Sequence, residues 1–345
     1  VLVTGHTGFK GSWMTLILSS LGAKVYGYAL DPISKPNFFD GSKLSKFLKK
    51  DVRSNILNFR KLSNTINKIK PSIVFHMAAQ SSVLVSYKNP SDTIKTNILG
   101  TTNFLESLIS CKSIKSAIVV TTDKVYLNLE NKNKFKEIDH LGGYDIYSGS
   151  KASCEVLTHS YSNSFFKKSK CKIATVRSGN CIGGGDWTKD RIVKDCAESF
   201  LFNKKIILRS PKASRPWQHV IEPIFGYLKL AEKLFKNKKF QGSWNFGPNI
   251  KNNMRVIDVA KFGKKYLNSK SKIKFTSQKF YESEHLSLDS SKAKKDLKWK
   301  TFLKPKDALK LSFDWYKFYY KNKNNKRLLE LTLKQINDYK RKYIK

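Results

Sequence analysis

The sequence predicts an α/β fold, a doubly wound parallel sheet followed by a smaller C-terminal lobe. Two observations carry that expectation. Short apolar runs alternate with helix-period stretches as far as Arg177. A glycine-rich turn, Thr4-Gly5-His6-Thr7-Gly8-Phe9-Lys10-Gly11, stands between the first apolar run and the first helical pattern. A chain of 345 residues with 40% apolar content can also bury a large core in two lobes.

Taken in order, Val1 to Val3 is an apolar run of the kind a buried parallel strand shows. The helix over 10–21 has Trp13, Leu16, Ile17 and Leu21 on one stripe and stops at Gly22. Strands follow over 24–28, 73–77, 117–121 and 173–177, with a third strand ending at Asp51-Val52. Helices fill 57–69, 91–110 and 147–166. Beyond residue 181 the alternation weakens into loops with Gly183 to Gly185, Pro211, Pro216 and Pro248, and strands are expected at 206–208 and 244–246. The division is therefore 1–180 for the nucleotide domain, 181–318 mainly for the second lobe, and 319–345 for a lysine-rich tail. The tail is read as a solvated amphipathic helix through Leu328, Leu329, Leu331 and Leu333.

In open α/β sheets the ligand lies beyond the carboxyl ends of the strands. Gly5, Ala78 to Gln80, Thr122, Asp123 and Asn180 all fall there. Strand, glycine turn and helix set backbone N–H groups against a pyrophosphate, although the spacing is Gly-x-x-Gly-x-x-Gly rather than Gly-x-Gly-x-x-Gly. Tyr147 and Lys151 stand four apart, so one helix face can hold both. A phenol with an ordinary pKa of about 10 becomes a usable base only beside a cation. Thr122 can hold a substrate hydroxyl, and Asp123 can protonate a leaving group. Together these groups can oxidise an alcohol and expel water.

The glycine turn, Thr122-Asp123 and Tyr147-x3-Lys151 resemble the extended short-chain dehydrogenase/reductases that act on nucleotide sugars. Further blocks, His76-Met77-Ala78-Ala79-Gln80, Thr96-Asn97-x2-Gly100-Thr101, Arg177-x2-Asn180, Gly183-Gly184-Gly185-Asp186-Trp187, Arg215-Pro216-Trp217-Gln218-His219 and Asn245-Phe246-Gly247-Pro248, are similar to the CDP-glucose 4,6-dehydratase subfamily. Related dTDP-glucose dehydratases carry Asp-Glu where this chain has Asp123-Lys124.

The resemblance implies a Rossmann-type NAD-binding domain, a smaller substrate-binding lobe, and a return of part of 219–248 to the nucleotide domain. Thr122, Asp123, Lys124, Tyr147 and Lys151 would be catalytic. Lys124 replaces the family's glutamate, and its role as C5 base or enolate stabiliser stays open. NAD would lie against Gly5, Thr7, Gly8, Phe9 and Gly11, with Asp51 and Val52 at the adenine. Ala78, Ala79, Gln80 and Asn97 would approach the nicotinamide half together with Tyr147 and Lys151. The acid that usually ends the second strand is displaced to Asp31, which leaves NAD against NADP open. Gln80, Asn180, Arg191 and Arg215 are substrate candidates, arginine suiting bidentate phosphate recognition. Gly185, Asp186, Trp187, Trp217 and His219 are further substrate candidates, the tryptophans as pocket walls or as packing. A homodimer or homotetramer formed through helices 91–110 and 147–166 is also implied.

The formal charge of +40, from 66 Lys+Arg against 26 Asp+Glu, raises nucleic-acid binding. The excess is mostly lysine spread along the chain with no recognised nucleic-acid motif, so it is read as a solvated surface that also attracts a diphosphate. Five cysteines without paired spacing, no long apolar span and no signal pattern indicate a reduced, metal-free, cytoplasmic protein. Rival readings are another nucleotide-sugar dehydratase, a 4-epimerase, or a non-catalytic dinucleotide-sensing or RNA-binding protein on the same fold.

Overall fold

The computed structural model describes residues 1–130, 134–248, 253–276, 283, 285–322 and 325–344. Seven parallel strands form one sheet: β1 (Leu2–Thr4), β2 (Tyr26–Ala29), β3 (Lys50–Arg53), β4 (Ile73–His76), β5 (Ser116–Val120), β6 (Lys172–Arg177) and β7 (Gly242–Asn245). Their spatial order is β7-β6-β5-β4-β1-β2-β3. Chain direction across the sheet reverses between β1 and β4, which opens a crevice at their carboxyl ends. The strands are apolar on both faces because helices cover both. In β5, Ala117 and Val119 join the core beneath one helical layer, while Ile118 and Val120 join the core on the other side.

Helix α1 (Phe9–Ser20) follows β1 directly, and α2 (Phe59–Ile69) follows β3. Helix α3 runs Pro90–Ile94, passes through a π-type turn at Lys95–Leu99 and ends as Gly100–Ile109. Helix α4 (Ile146–Ser164) starts on Asp145, whose carboxylate accepts the Ser148 N–H at 3.0 Å and the Ser148 hydroxyl at 2.7 Å. The chain leaves the sheet after β6, forms α5 (Ile192–Leu201), and returns through α6 (Ile221–Lys236) to β7, which pairs with β6. The second lobe adds short strand pairs, such as Ile206–Leu208 with Ile273–Phe275, and α7 (Val256–Tyr266).

The C-terminal region differs from the solvated tail expected from its lysines. Helix α8 (Pro305–Lys321) buries Leu309, Phe313, Trp315 and Tyr316, and α9 (Asn325–Ile344) packs onto it. Leu328, Thr332, Ile336 and Tyr339 are buried, Trp315 Nε1 donates to Thr332 Oγ1 at 2.9 Å, and Lys340 Nζ donates to the Ser20 carbonyl at 3.3 Å. The lysines occupy the outer face while an apolar stripe joins the main core.

Candidate active site

The glycine turn is shaped by contact. Gly5 has φ +73°, and a Cβ there would lie 2.7 Å from the Ala78 nitrogen. At Gly11 a Cβ would lie 2.1 Å from the Gly5 carbonyl oxygen. Helix α1 begins on Gly8 with no side chain capping it, so its first-turn N–H groups are available to an anionic ligand. Thr7 Oγ1 donates to the Leu30 carbonyl at 2.9 Å, holding the turn against the end of β2. His6 lies over Gly27 and reaches Asp51 on β3, Nε2 to Oδ1 2.9 Å. The second Asp51 oxygen accepts from Arg53 at 2.8 Å, and Arg53 also meets Asp31 at 3.4 Å. This tight, uncapped cradle, with Asp31 just past β2 and Asp51 within β3, fits a dinucleotide diphosphate and its ribose.

After β4, Ala78 to Gln80 are pinned from two sides. Thr4 Oγ1 accepts the Met77 and Ala78 N–H groups. Asn97, buried in the π-type turn of α3, accepts the Gln80 N–H at 2.8 Å and donates to the Gln80 carbonyl and to Ser150 Oγ on α4. A π-turn that aims one side chain at a ligand loop is a recurrent functional device. Asn97 thus spends its amide on scaffold. The Gln80 side chain does likewise, bonding Ser82 and Thr93.

Thr122, Asp123 and Tyr147 converge beyond β5. Thr122 Oγ1 donates to Asp123 Oδ1 at 3.0 Å and acts to lower the pKa of the neighbouring Tyr147 phenol. Asp123 is buried; its N–H donates to the Ser178 carbonyl at 3.2 Å, and its Oδ2 has no partner among the described residues. Burial pushes the Asp123 carboxyl above the usual range, against the pull of Lys124, Thr122, Arg215 and Lys10. It therefore keeps its proton to higher pH than a surface aspartate. Burial also raises the Tyr147 phenol, opposed by Thr122 and the Lys10 charge. Lys151, one turn on, donates Nζ to the Val120 carbonyl at 3.1 Å, and burial lowers its pKa.

The helix bearing Tyr147 and Lys151 is locked to β6 by an ion pair. Glu155 takes Arg177 through both carboxylate oxygens, Nε to Oε1 3.0 Å and NH2 to Oε2 2.8 Å, and accepts from Thr121 and Thr175. Burial alone would raise Glu155, but Arg177 and the two hydroxyls hold its carboxyl below the ordinary value.

The pattern of GDP-mannose 4,6 dehydratase matches residues 2–310. The chain belongs to that family. It is similar to the CDP-glucose 4,6-dehydratase of Salmonella typhimurium, with 39% identity over 98% of this chain and 95% of that protein. A dTDP-D-glucose 4,6-dehydratase of Dictyostelium discoideum is 27% identical over 76% of this chain and 60% of that one. Among solved structures, the fold is shared with Bacillus cereus UDP-glucuronic acid 4-epimerase in complex with UDP-glucuronic acid and NAD, at TM-score 0.81, 22% identity, and 92% and 99% of the two chains. A Bacillus anthracis dTDP-glucose 4,6-dehydratase in complex with NAD has TM-score 0.78, 21% identity, and 92% and 96% coverage.

Several residues expected at the substrate turn out to pack the interior of this dehydratase-family chain. A Cβ at Gly184 would lie 2.0 Å from the Trp315 ring, and one at Gly185 2.7 Å from Phe38. Gly184 is thus a close seat for α8, and Gly185 one for Phe38. Trp187 packs tilted or edge-on among Trp315, Tyr316, Tyr319 and Tyr320, and Trp217 donates to the Met254 carbonyl at 2.9 Å. His219 is buried edge-on to Trp13, and burial holds its imidazole neutral with a pKa of about 3. Asp186 anchors Arg191 at 3.2 Å, and the Arg191 charge reaches Tyr147. Arg215 is buried near enough to act on Asp123. Asn180 follows β6, and its carbonyl accepts the Gln218 N–H at 3.2 Å.

Sequence reasoning missed Lys10, Ser178 and Tyr227. Lys10 Nζ donates to Ser178 Oγ at 2.8 Å, and the Tyr227 hydroxyl donates to the same oxygen at 2.7 Å. The available signal was position: Lys10 stands three residues before Trp13, on the apolar stripe of α1.

Proposed function

We propose that this protein is an NAD-dependent CDP-glucose 4,6-dehydratase, converting CDP-glucose to CDP-4-dehydro-6-deoxyglucose and water. The carrying observation is Asp123: a buried carboxyl whose acid form desolvation favours, with one oxygen unpartnered among the described residues, beside Thr122 and Tyr147. A 4-epimerase needs no elimination acid, so a site built around Asp123 favours dehydration. Similarity to the Salmonella enzyme supports the CDP-linked substrate.

Bound NAD supplies the group that accepts hydride from C4 and returns it to C6. Gly5, Gly8 and Gly11 let the α1 N-terminus approach the diphosphate. Arg53 is engaged by Asp51 and Asp31, which supports NAD over its phosphorylated form. Thr122 orients the C4 hydroxyl and Tyr147 takes its proton. Asp123 protonates the departing C6 hydroxyl, and Lys124 faces the same chemistry as C5 base or enolate stabiliser. Arg191 and Arg215 hold the diphosphate end. Exposed Ile94, Leu99 and Val156 on α3 and α4 support a homodimer or homotetramer. Among the described residues no helix is long and apolar enough to cross a membrane; that is compatible with a cytoplasmic enzyme, as is a nucleotide-sugar substrate.

The test is incubation of the purified protein with NAD and, separately, the CDP-, dTDP-, GDP- and UDP-linked hexoses. A 4-keto-6-deoxy product is expected from CDP-glucose at the highest kcat/KM. Faster turnover of another nucleotide would overturn the CDP assignment, and an epimer in place of a ketone would overturn the dehydratase.

A further inference from the structure

The segment that leaves β6 passes the proposed acid and then runs between two helices. A Cβ at Gly179 would lie 2.8 Å from Asp123 Oδ2, and one at Gly183 would lie 3.3 Å from the Phe9 ring of the glycine turn. Beyond that point two alternate carbonyls are each held by an aromatic donor. The Gly184 carbonyl accepts Trp13 Nε1 of α1 at 2.9 Å, and the Asp186 carbonyl accepts the Tyr316 hydroxyl of α8 at 3.0 Å. Both rings are fully buried, so neither donor can turn to bulk water instead.

With its backbone held by α8, Asp186 keeps its carboxylate for its own loop. Oδ1 accepts the Thr188 N–H at 3.3 Å, and Oδ2 lies 3.2 Å from Arg191 Nε. The latter contact is an ion pair rather than an aligned hydrogen bond. The Arg191 side chain is 39% exposed against 12% for Asp186, and its two terminal nitrogens have no partner among the described residues. A guanidinium held at Nε with its outer fork free is the form that takes a phosphate by two parallel hydrogen bonds.

We propose that Tyr316 is a positioning residue for the substrate's diphosphate: its hydroxyl fixes Asp186, Asp186 holds Arg191 at Nε, and the terminal nitrogens of Arg191 meet the phosphates. This rests on the reading of Arg191 as a diphosphate contact of a nucleotide-sugar enzyme. Helix α8 thereby acts on ligand binding without touching the ligand. Phenylalanine at 316 keeps the edge-on contact with Trp187, 5.4 Å between ring centroids, so Tyr316→Phe removes the hydrogen bond and leaves the packing.

The test is a double-mutant cycle on CDP binding, read by calorimetry with the NAD-loaded protein, which needs no turnover. Tyr316→Phe is expected to weaken CDP about three- to tenfold, with the affinity for NAD unchanged. Asp186→Asn, which releases Arg191 by a different route, is expected to do the same. Arg191→Gln should weaken CDP as well, and adding Tyr316→Phe to it should cost nothing more, because the only path by which the hydroxyl acts is gone. In turnover, KM for CDP-glucose should rise by the factor seen for CDP while kcat changes by less than about twofold. Additive effects of Tyr316→Phe and Arg191→Gln, an equal loss of NAD affinity, or an Arg191→Gln variant that binds CDP like the parent overturns the assignment. The expected coupling in a protein that forms no 4-keto sugar leaves Tyr316 in place and removes the dehydratase reading. The same coupling found with dTDP in place of CDP removes only the CDP assignment.

Discussion

At Asp123 the surroundings shift a carboxyl toward its acid form. Desolvation raises its pKa despite several nearby cations, so its acid form persists as pH rises and is lost only above the usual carboxylate range. Asp123→Asn keeps the size but removes the proton that the C6 hydroxyl needs. Elimination should slow by about 10²- to 10⁴-fold while Tyr147 still oxidises C4. Single-turnover absorbance should then show reduced nicotinamide accumulating on the protein, and parent-rate product formation would reject Asp123 as the acid. That Thr122 and Asp123 would lie in one region with Tyr147 was legible because both segments fall beyond the carboxyl end of a strand. Lys10 was hidden because, in a chain with 66 basic residues, one lysine reads as surface. Its place depends on Ser178, 168 residues away. Of the two readings open for Trp187, pocket wall or packing, its ring lies among the aromatics of α8, while Gly185 lies close against Phe38.

At the scale of elements, the sheet strands and the helices α1 to α4 could be read from apolar period, to within about two residues at their ends, whereas α6, which also covers the sheet, was not read. The packing of the terminal helix could not be read, because its lysines dilute the stripe that packs. Ile336 is fully buried on α9, so Ile336→Ala should cost about 2–5 kcal/mol, measured by denaturant unfolding; a change near zero would return α9 to the solvated tail. Helix α6 carries a second buried charge question. Glu222 Oε1 accepts the Phe302 and Leu303 N–H groups at 2.7 and 2.9 Å, and burial pushes its carboxyl up to about 7. A folded pKa above the unfolded value means that its favourable contribution is full below about 4.5 and is lost as pH rises to about 7. Glu222→Gln keeps the acceptor without the proton. Relative to this variant, the parent should lose on the order of 3 kcal/mol between those pH values and then level off, as read from unfolding at each pH. A parallel pH dependence in both proteins would contradict it.

Across the whole molecule, the β1–β4 crevice gathers the ends of β1, β4, β5 and β6 into one site, and the charge surrounds it without defining it. If the excess of +40 is a solvated surface, DNA and RNA should bind weakly and lose affinity steeply with added salt. Sequence-selective, nanomolar binding at physiological salt would revive a nucleic-acid role.

The central claim is that one hydride leaves C4 and arrives at C6 while water departs. CDP-glucose carrying deuterium at C4 tests it directly. With the NAD-loaded protein, nuclear magnetic resonance of the product should find a 4-keto sugar with the deuterium in its C6 methyl group. Deuterium retained at C4 in an epimerised sugar, or CDP-glucose left unconsumed, would contradict the account.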